Sequence, residues 1–229
     1  MKNRIKGSTM IKLVSVSVGV PREVRWRGQT VTTGIFKEPV EGRIALRKFN
    51  LDGDRQADLS VHGGQDKAVY AYPAEHYPCW QHEFPEAALP WGMFGENFTI
   101  EGLLEEDVHI GDRFRIGSAV VMVTQPRMPC YKLGIKFGRR DILKRFLASG
   151  RTGWYFAVVQ EGEVGAGDTI ELISRDNKSV SVADIIRLFF GETDEVEALE
   201  RAVRSRALPQ GWRDYFADRL QRVERFSRT

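Results

Sequence analysis

Residues 119–130 read AVVMVTQPRMPC, an apolar run followed by a segment that contains two prolines. The run at 119–124 has the composition of a buried β-strand. Pro126 and Pro129 have no amide hydrogen, so they keep the chain extended and remove it from the hydrogen-bonded ladder of a sheet. The stretch therefore predicts a strand that leaves its sheet rigidly and places Cys130 at its exit.

Short apolar segments with a period of two recur on both sides of this strand. Gly, Pro, Asn and Asp separate them, and such alternation is typical of β-strands. The predicted strands are 14–18, 69–72, 97–100, 113–116, 119–124, 154–160 and 169–173. Helices are predicted at 73–84, with a break at Pro78, and at 140–149. Many short strands with few helices indicate a mainly β fold, either a barrel or a sandwich.

The apolar spacing of the C-terminal part is helical. Ser181 and Asp184 have the spacing of a capping box, which predicts a helix beginning there. Asp194 predicts the start of a second helix, and Trp212 lies on a third. Because three short helices bury little surface alone, we expect them to pack on each other and on the β domain. The predicted domains are a β domain at 10–175 and a three-helix domain at 176–229.

The composition of the 229 residues excludes several classes of protein. Hydrophobic residues make up 42% and charged residues 28%, which is typical of a globular protein and not of a disordered or fibrous one. The formal charge is +3 and basic residues are scattered, so the sequence does not favour binding to nucleic acid. No run approaches the ~18 apolar residues that cross a bilayer, and two cysteines cannot form a disulfide framework. A cytoplasmic location is expected.

Cys130 has Arg127 and Lys132 close by in sequence. Basic side chains stabilise a thiolate, which is a nucleophile and a ligand for soft metals. From the residues alone, Cys130 is either such a reactive group or a buried structural cysteine.

Two further segments combine glycine with polar residues. Residues 62–67 read HGGQDK, in which paired glycines can turn successive amides toward an anion and Lys67 can add a charge. The alternative is an ordinary loop before a strand. In residues 94–99, FGENFT, the neighbours Glu96 and Asn97 point to opposite faces of a strand, so one of them faces inward. That residue either satisfies a structural hydrogen bond or contacts a ligand.

A zinc site at His76, Cys79 and His82 is not favoured. The third side chain falls off the helix face of the first two, and no fourth ligand follows at the usual spacing. These residues are interpreted as helix surface and packing.

The three segments together, in this order and spacing, closely resemble the MOSC family, named for the C-terminal domain of molybdenum cofactor sulfurase. The resemblance covers residues 11–175, and the three-helix tail is similar to that of the YiiM branch. It implies a β-barrel that binds molybdenum cofactor, with Cys130 as the protein ligand of the metal. It also implies reduction of N-hydroxylated compounds such as 6-N-hydroxylaminopurine. The cofactor-binding residues that the resemblance implies are Thr33, Lys37, His62, Gly63, Gly64, Lys67, Glu96, Asn97, Gln125 and Arg127.

The resemblance leaves the biochemical role open between two classes. In the first, the protein is a reductase that receives electrons from a separate flavoprotein or haem protein, since the sequence has no flavin or nicotinamide motif. In the second, it is a carrier that binds the cofactor without turnover. A metal-free transferase with Cys130 as nucleophile is disfavoured because no histidine lies near it in sequence.

Overall fold

A computed structural model describes residues 10–57, 63–191 and 195–226. In these ranges the chain forms twelve strands and six α-helices. The strands are β1 Lys12–Val18, β2 Arg22–Trp26, β3 Gln29–Thr33, β4 Glu38–Pro39, β5 Arg43–Leu46, β6 Val69–Pro73, β7 Phe98–Glu101, β8 Arg113–Ile116, β9 Ala119–Pro126, β10 Trp154–Gln160, β11 Gly162–Gly165 and β12 Ile170–Ser174. The helices are α1 His76–Glu83, α2 Tyr131–Phe137, α3 Ile142–Ala148, α4 Val182–Phe190, α5 Val196–Arg204 and α6 Gln210–Phe226.

Eight strands form one mixed sheet in the order β12-β8-β9-β10-β6-β7-β1-β4. Neighbours are antiparallel except for the parallel pair β6 and β7. The order is linear, so a closed ladder of strands is not shown. Strands from opposite ends of this order nevertheless approach each other. In β1, Lys12 forms an isolated bridge with Thr169, just before β12, and Leu13 N donates to Asp168 O at 2.9 Å. Two short two-stranded ladders accompany the main sheet: the hairpin of β2 with β3, and the antiparallel pair of β11 with β5.

The C-terminal helices pack against the sheet in one hydrophobic cluster. Leu13, Phe98 and Trp154 of the sheet share this cluster with Ile185 of α4 and Phe216 of α6, and all five are fully buried. Burial of this apolar surface stabilises the contact. The boundary placed at 175/176 stays a prediction.

A second cluster is largely aromatic and lies beside β6. Tyr72, Trp80, Phe94 and Phe146 form its centre, with the rings of Tyr72 and Phe94 stacked at 4.4 Å between centroids. These rings join α1 and α3 to the sheet. The cluster is a rigid base for the segments that follow β9.

Most predicted elements are confirmed. The strands predicted at 113–116 and 154–160 match β8 and β10, and Ser181 and Asp184 form the capping box that begins α4. The predicted break at Pro78 is wrong, because this residue lies in the first turn of α1, where its missing amide hydrogen costs no helical bond. The predicted start at Asp194 lies outside the described residues.

Several features were not predicted from the sequence. They are the β2–β3 hairpin, the short strands β4, β5 and β11, the parallel pairing of β6 with β7, and the helix α2 directly after Cys130. Of the helices described, none is long and apolar enough to cross a membrane.

Candidate functional site

A cavity of about 90 Å³ lies where the start of β6 and the exit of β9 face the segment between β3 and β4. Four basic side chains line it, those of Lys37, Lys67, Arg127 and Lys132. None of the described residues on its wall is an aspartate or a glutamate. Like charges gathered without carboxylates on the wall give a positive potential, which favours an anionic ligand.

Cys130 lies on the wall of this cavity, half-buried. Its backbone is extended, with φ −112° and ψ 171°, and α2 begins at the next residue. The predicted strand exit is confirmed, since β9 ends at Pro126 and the chain reaches Cys130 without pairing to another strand. Cys79 and Cys130, both within the described ranges, are reduced, and Cys79 is exposed on α1.

Arg127 is buried, with 5% of its surface exposed, and it is held mainly by aromatic rings. Its guanidinium carbon lies 4.7 Å from the ring centroid of Tyr70 and 5.3 Å from that of Phe146. The Nη1 atom is buried and has no hydrogen-bond partner within the described part of the chain. A buried charged donor without an acceptor is costly, so this atom is suited to a ligand that brings one.

Lys37 lines the cavity on the side opposite Arg127, and its ammonium forms an ion pair with a carboxylate outside the cavity. Its Nζ donates to the carboxylate of Asp54, which is almost completely buried. The same carboxylate accepts from Gly19 N at 2.9 Å and from Asn97 Nδ2 at 3.0 Å. Burial lowers the pKa of Lys37, and Asp54 opposes that shift. The charge of Lys37 is therefore already largely balanced by a protein group.

Asn97 faces the cavity, but its amide is engaged by the protein. Its Oδ1 accepts from Tyr70 N at 3.1 Å, and its Nδ2 donates to Ser17 O at 3.1 Å as well as to Asp54. The side chain therefore joins β6, β1 and the loop before β6 at one point. Its role on this geometry is to fix the wall.

Glu96 points away from the cavity into the loop before β7. Its carboxylate is fully buried and accepts from Gly92 N at 2.8 Å, Phe94 N at 3.0 Å and the hydroxyl of Tyr77. Burial and the adjacent Glu96 raise the pKa of Tyr77. Of the two neighbours singled out in the sequence, Asn97 thus lies at the cavity and Glu96 organises the loop behind it.

Gly63 and Gly64 both have a φ of +82°, a conformation that favours glycine. The next three residues form a short 3₁₀-helix, Gln65–Lys67. Thr124 Oγ1 lies 2.6 Å from Asp66 O and 3.1 Å from Tyr155 O, so this loop is fastened to β9 and β10. Residues 63–67 therefore form a fixed turn at the cavity, in a backbone conformation that glycine adopts without strain.

Comparisons with known proteins identify the family. The family model described as MOSC domain matches residues 58–171, and the model described as YiiM-like, 3-alpha helix domain matches residues 180–222. The uncharacterized protein YflK of Bacillus subtilis is 44% identical over 93% of this chain and 97% of its own length. Protein YiiM of Escherichia coli is 38% identical over 86% of this chain and 89% of its own. The chain belongs to the MOSC family.

Solved structures and a fungal relative extend this result. The crystal structure of YiiM from Geobacillus stearothermophilus matches with a TM-score of 0.76 and 35% identity, covering 92% of this MOSC chain and 99% of that one. A protein of Gibberella moniliformis named reductase is 35% identical over 70% of this chain but only 29% of its own length.

The structure brings most of the implied cofactor residues of this MOSC protein to one place. Those that line the cavity are Lys37, Gly63, Lys67, Asn97, Arg127 and Cys130. Gly64 and Gln125 line an adjoining cavity. Thr33 is buried at the end of β3, where its hydroxyl accepts from Ile35 N at 3.2 Å. His62 lies outside the described residues.

Three residues of the site were missed from the sequence. Asp54 holds Lys37 and Asn97, while Tyr70 and Tyr155 line the cavity beside Arg127. Both tyrosines lie on strands whose apolar pattern predicts that they are buried but gives no sign of a role at the site. Asp54 lies in an Asp-Gly-Asp sequence typical of an exposed turn.

The residues present fit the cofactor that the family name implies. A phosphate-bearing pterin needs buried donors, and the Nη1 atom of Arg127, which has no partner among the described residues, is one. A soft metal needs a thiolate, and Cys130 stands on the same wall. A site that uses one protein thiol does not need a cluster, and the described ranges hold no group of three His, Cys, Asp or Glu suited to a metal. His76 is instead paired with Glu105, at 2.8 Å between Nε2 and Oε2.

Proposed function

We propose that this protein binds molybdenum cofactor in the basic cavity and reduces N-hydroxylated compounds such as 6-N-hydroxylaminopurine. The observation that carries the proposal is the presence, on one wall, of Cys130 and of a buried guanidinium whose Nη1 finds no acceptor among the residues that the structure describes. Membership of the MOSC family and the relative named reductase support the same reading.

In this proposal different residues of the chain bind different parts of the cofactor. Cys130 holds the metal as a thiolate, a strong donor that stays bound when a metal changes oxidation state. Arg127, Lys67 and the turn at Gly63 and Gly64 bind the phosphate. Lys37, balanced by Asp54, orients polar atoms at the opposite side. The aromatic base behind Arg127 keeps water from its guanidinium and strengthens its interaction with an anion.

The chemistry supplied with the cofactor bound is two-electron reduction: the N–O bond breaks, two electrons and two protons enter, and an amine and water leave. The electrons come in this proposal from a separate reduced flavoprotein or haem protein. The protein's part is to present the substrate to the Cys130 side of the cavity. The expected closed barrel belongs to the same proposal, supported by the Lys12–Thr169 bridge.

The first test is the metal and pterin content of protein produced in a host that makes molybdenum cofactor. We expect both to copurify and a reduced dye to be consumed in proportion to 6-N-hydroxylaminopurine. Protein that retains the cofactor but consumes no N-hydroxylated compound would instead be a carrier. Protein that never acquires molybdenum would overturn the proposal.

Two matched variants test the metal ligand. Cys130→Ser should lose nearly all reduction, because a hydroxyl is a hard and far weaker donor than a thiolate. Its stability should fall by ~1 kcal/mol or less, since the volume scarcely changes. Cys79→Ser makes the same change at an exposed cysteine on α1 and should keep its activity. Inactivity of Cys79→Ser with an active Cys130→Ser would refute the assignment.

A further inference from the structure

A second cavity, of about 590 Å³, lies next to the basic one. Gly63 and Lys67 line both cavities, so the two spaces share a wall at the glycine turn. On the other side the second cavity is closed by α4 and α6 of the C-terminal region. The C-terminal helices therefore reach the site itself.

Three aromatic side chains from these helices line the second cavity: Phe189, Trp212 and Tyr215. The ring of Phe189 lies 5.2 Å from Trp212 and 5.4 Å from Tyr215, measured between centroids. Trp212 Nε1 donates to Gln125 Oε1 at 2.9 Å, which fixes the indole against the end of β9. The rings are thus held in a group and oriented from two directions.

Core packing does not account for all three rings. Phe216, the neighbour of Tyr215 on α6, is fully buried and supplies the contact with the sheet. Tyr215 is 38% exposed, and Phe189 and Trp212 are each half-buried. Partly exposed rings around a space, with polar groups from Asp66 and Gln125 on the same wall, are typical of a site for a flat ligand.

We propose that this cavity binds the planar heteroaromatic ring of the substrate, with its N-hydroxyl group directed toward the Cys130 cavity. The inference rests on the proposed function and adds to it a preference for substrates that carry a flat, nitrogen-containing ring. Stacking on the aromatic side chains holds the ring, and the exposed Asp66 on the same wall bonds a nitrogen at its edge. Aliphatic hydroxylamines make none of these contacts.

The binding test uses adenine, which has the ring that remains when 6-N-hydroxylaminopurine is reduced. Titration of cofactor-free protein by calorimetry should show binding. Tyr215→Leu and Trp212→Leu should each weaken it about tenfold, as expected for the loss of one stacked ring. Phe49→Leu is the matched control, because Phe49 is 53% exposed and lies outside both cavities. Absence of adenine binding, or equal affinity in all four proteins, would overturn the proposal.

A kinetic test separates this proposal from the function on which it rests. In cofactor-loaded protein, Tyr215→Leu should raise the KM for 6-N-hydroxylaminopurine and leave the turnover of hydroxylamine itself unchanged. If Tyr215→Leu reduced activity equally with both substrates, the ring subsite would be refuted while the reductase proposal would remain in place. If the protein carries no molybdenum, the adenine titration still decides whether the ring binds.

Discussion

Asp54 offers the sharpest test of how the site is built. The carboxylate is almost completely buried and receives four donors, from Lys37, Gly19 and Asn97 and, at 3.5 Å, from Gln56 Nε2. In Asp54→Asn the side chain keeps its shape but has only one acceptor oxygen. Its new amide hydrogens must face either the ammonium of Lys37 or the amide of Asn97, donor against donor. The buried charge of Lys37 also loses its counter-ion.

The size of the effect follows from these losses. Removing one partner of a buried ion pair costs ~3–5 kcal/mol, because the other charge stays buried without compensation. A typical domain has ~5–15 kcal/mol of stability in total. We therefore expect a large fall in the urea midpoint of Asp54→Asn, measured on cofactor-free protein at neutral pH by tryptophan fluorescence, with an unchanged m-value.

The natural control lies two residues away. Asp52 pairs with Arg47 in the same way, at 3.1 Å, but its side chain is 52% exposed. Water screens that pair, so Asp52→Asn should leave the midpoint nearly unchanged. If Asp54→Asn and Asp52→Asn lowered the urea midpoint equally, Asp54 would contribute no more than an exposed carboxylate, and the role assigned to its buried ion pair would be refuted.

The pH dependence gives a second readout for the same variant. Burial already lowers the pKa of Lys37 below its usual value of 10.5, and loss of Asp54 lowers it further. When the folded-state pKa is below the unfolded one, the unfolded chain binds more protons between the two values, so stability rises with pH in that window. The deficit of Asp54→Asn relative to wild type should therefore shrink as the pH is raised. A stability difference between wild type and Asp54→Asn that does not change with pH would mean that the buried charge of Lys37 is not its cause.

Two further predictions concern the basic residues. Arg127→Met should weaken phosphate binding to the cofactor-free protein, measured by calorimetry, more than Lys37→Met does, and equal losses would contradict the assignment of Arg127 as the principal anion ligand. Burial lowers the pKa of Lys136 from 10.5 to about 8. The stability of wild type relative to Lys136→Met should therefore increase between pH 8 and 10.5 and stay level below pH 8. If the unfolding midpoints of the two proteins run parallel across this range, the pKa shift is absent.

The sequence predicted what local pattern determines. The apolar run before Pro126 gave β9 and the exit to Cys130, and the Ser181–Asp184 spacing gave the start of α4. Both depend on residues that are neighbours in the chain. The helix α2 was missed because Pro126 and Pro129 suggested an extended segment, whereas Leu133 and Ile135 are buried and hold the helical turn in place.

Asp54 and the parallel pair β6–β7 depend on contacts distant in sequence. Nothing within a few residues of Asp54 distinguishes it from Asp52, and both follow the pattern of an exposed turn. Only the approach of Lys37 and Asn97, 17 and 43 positions away, makes one of them buried. A single sequence carries no direct record of such pairs.

The two best-buried cations of the site are held in opposite ways, and this difference assigns their roles. Lys37 has a carboxylate as its immediate partner, so an anion that approached it would compete with Asp54, which three further donors hold in place. Arg127 is surrounded by the rings of Tyr70 and Phe146, which attract a cation through their faces but do not neutralise its charge. Its Nη1 also has no acceptor in the ranges 10–57, 63–191 and 195–226. An anion that enters the cavity therefore gains most from Arg127, and because only two residues separate Arg127 from Cys130, the same rigid segment fixes the distance between the anion and the thiolate.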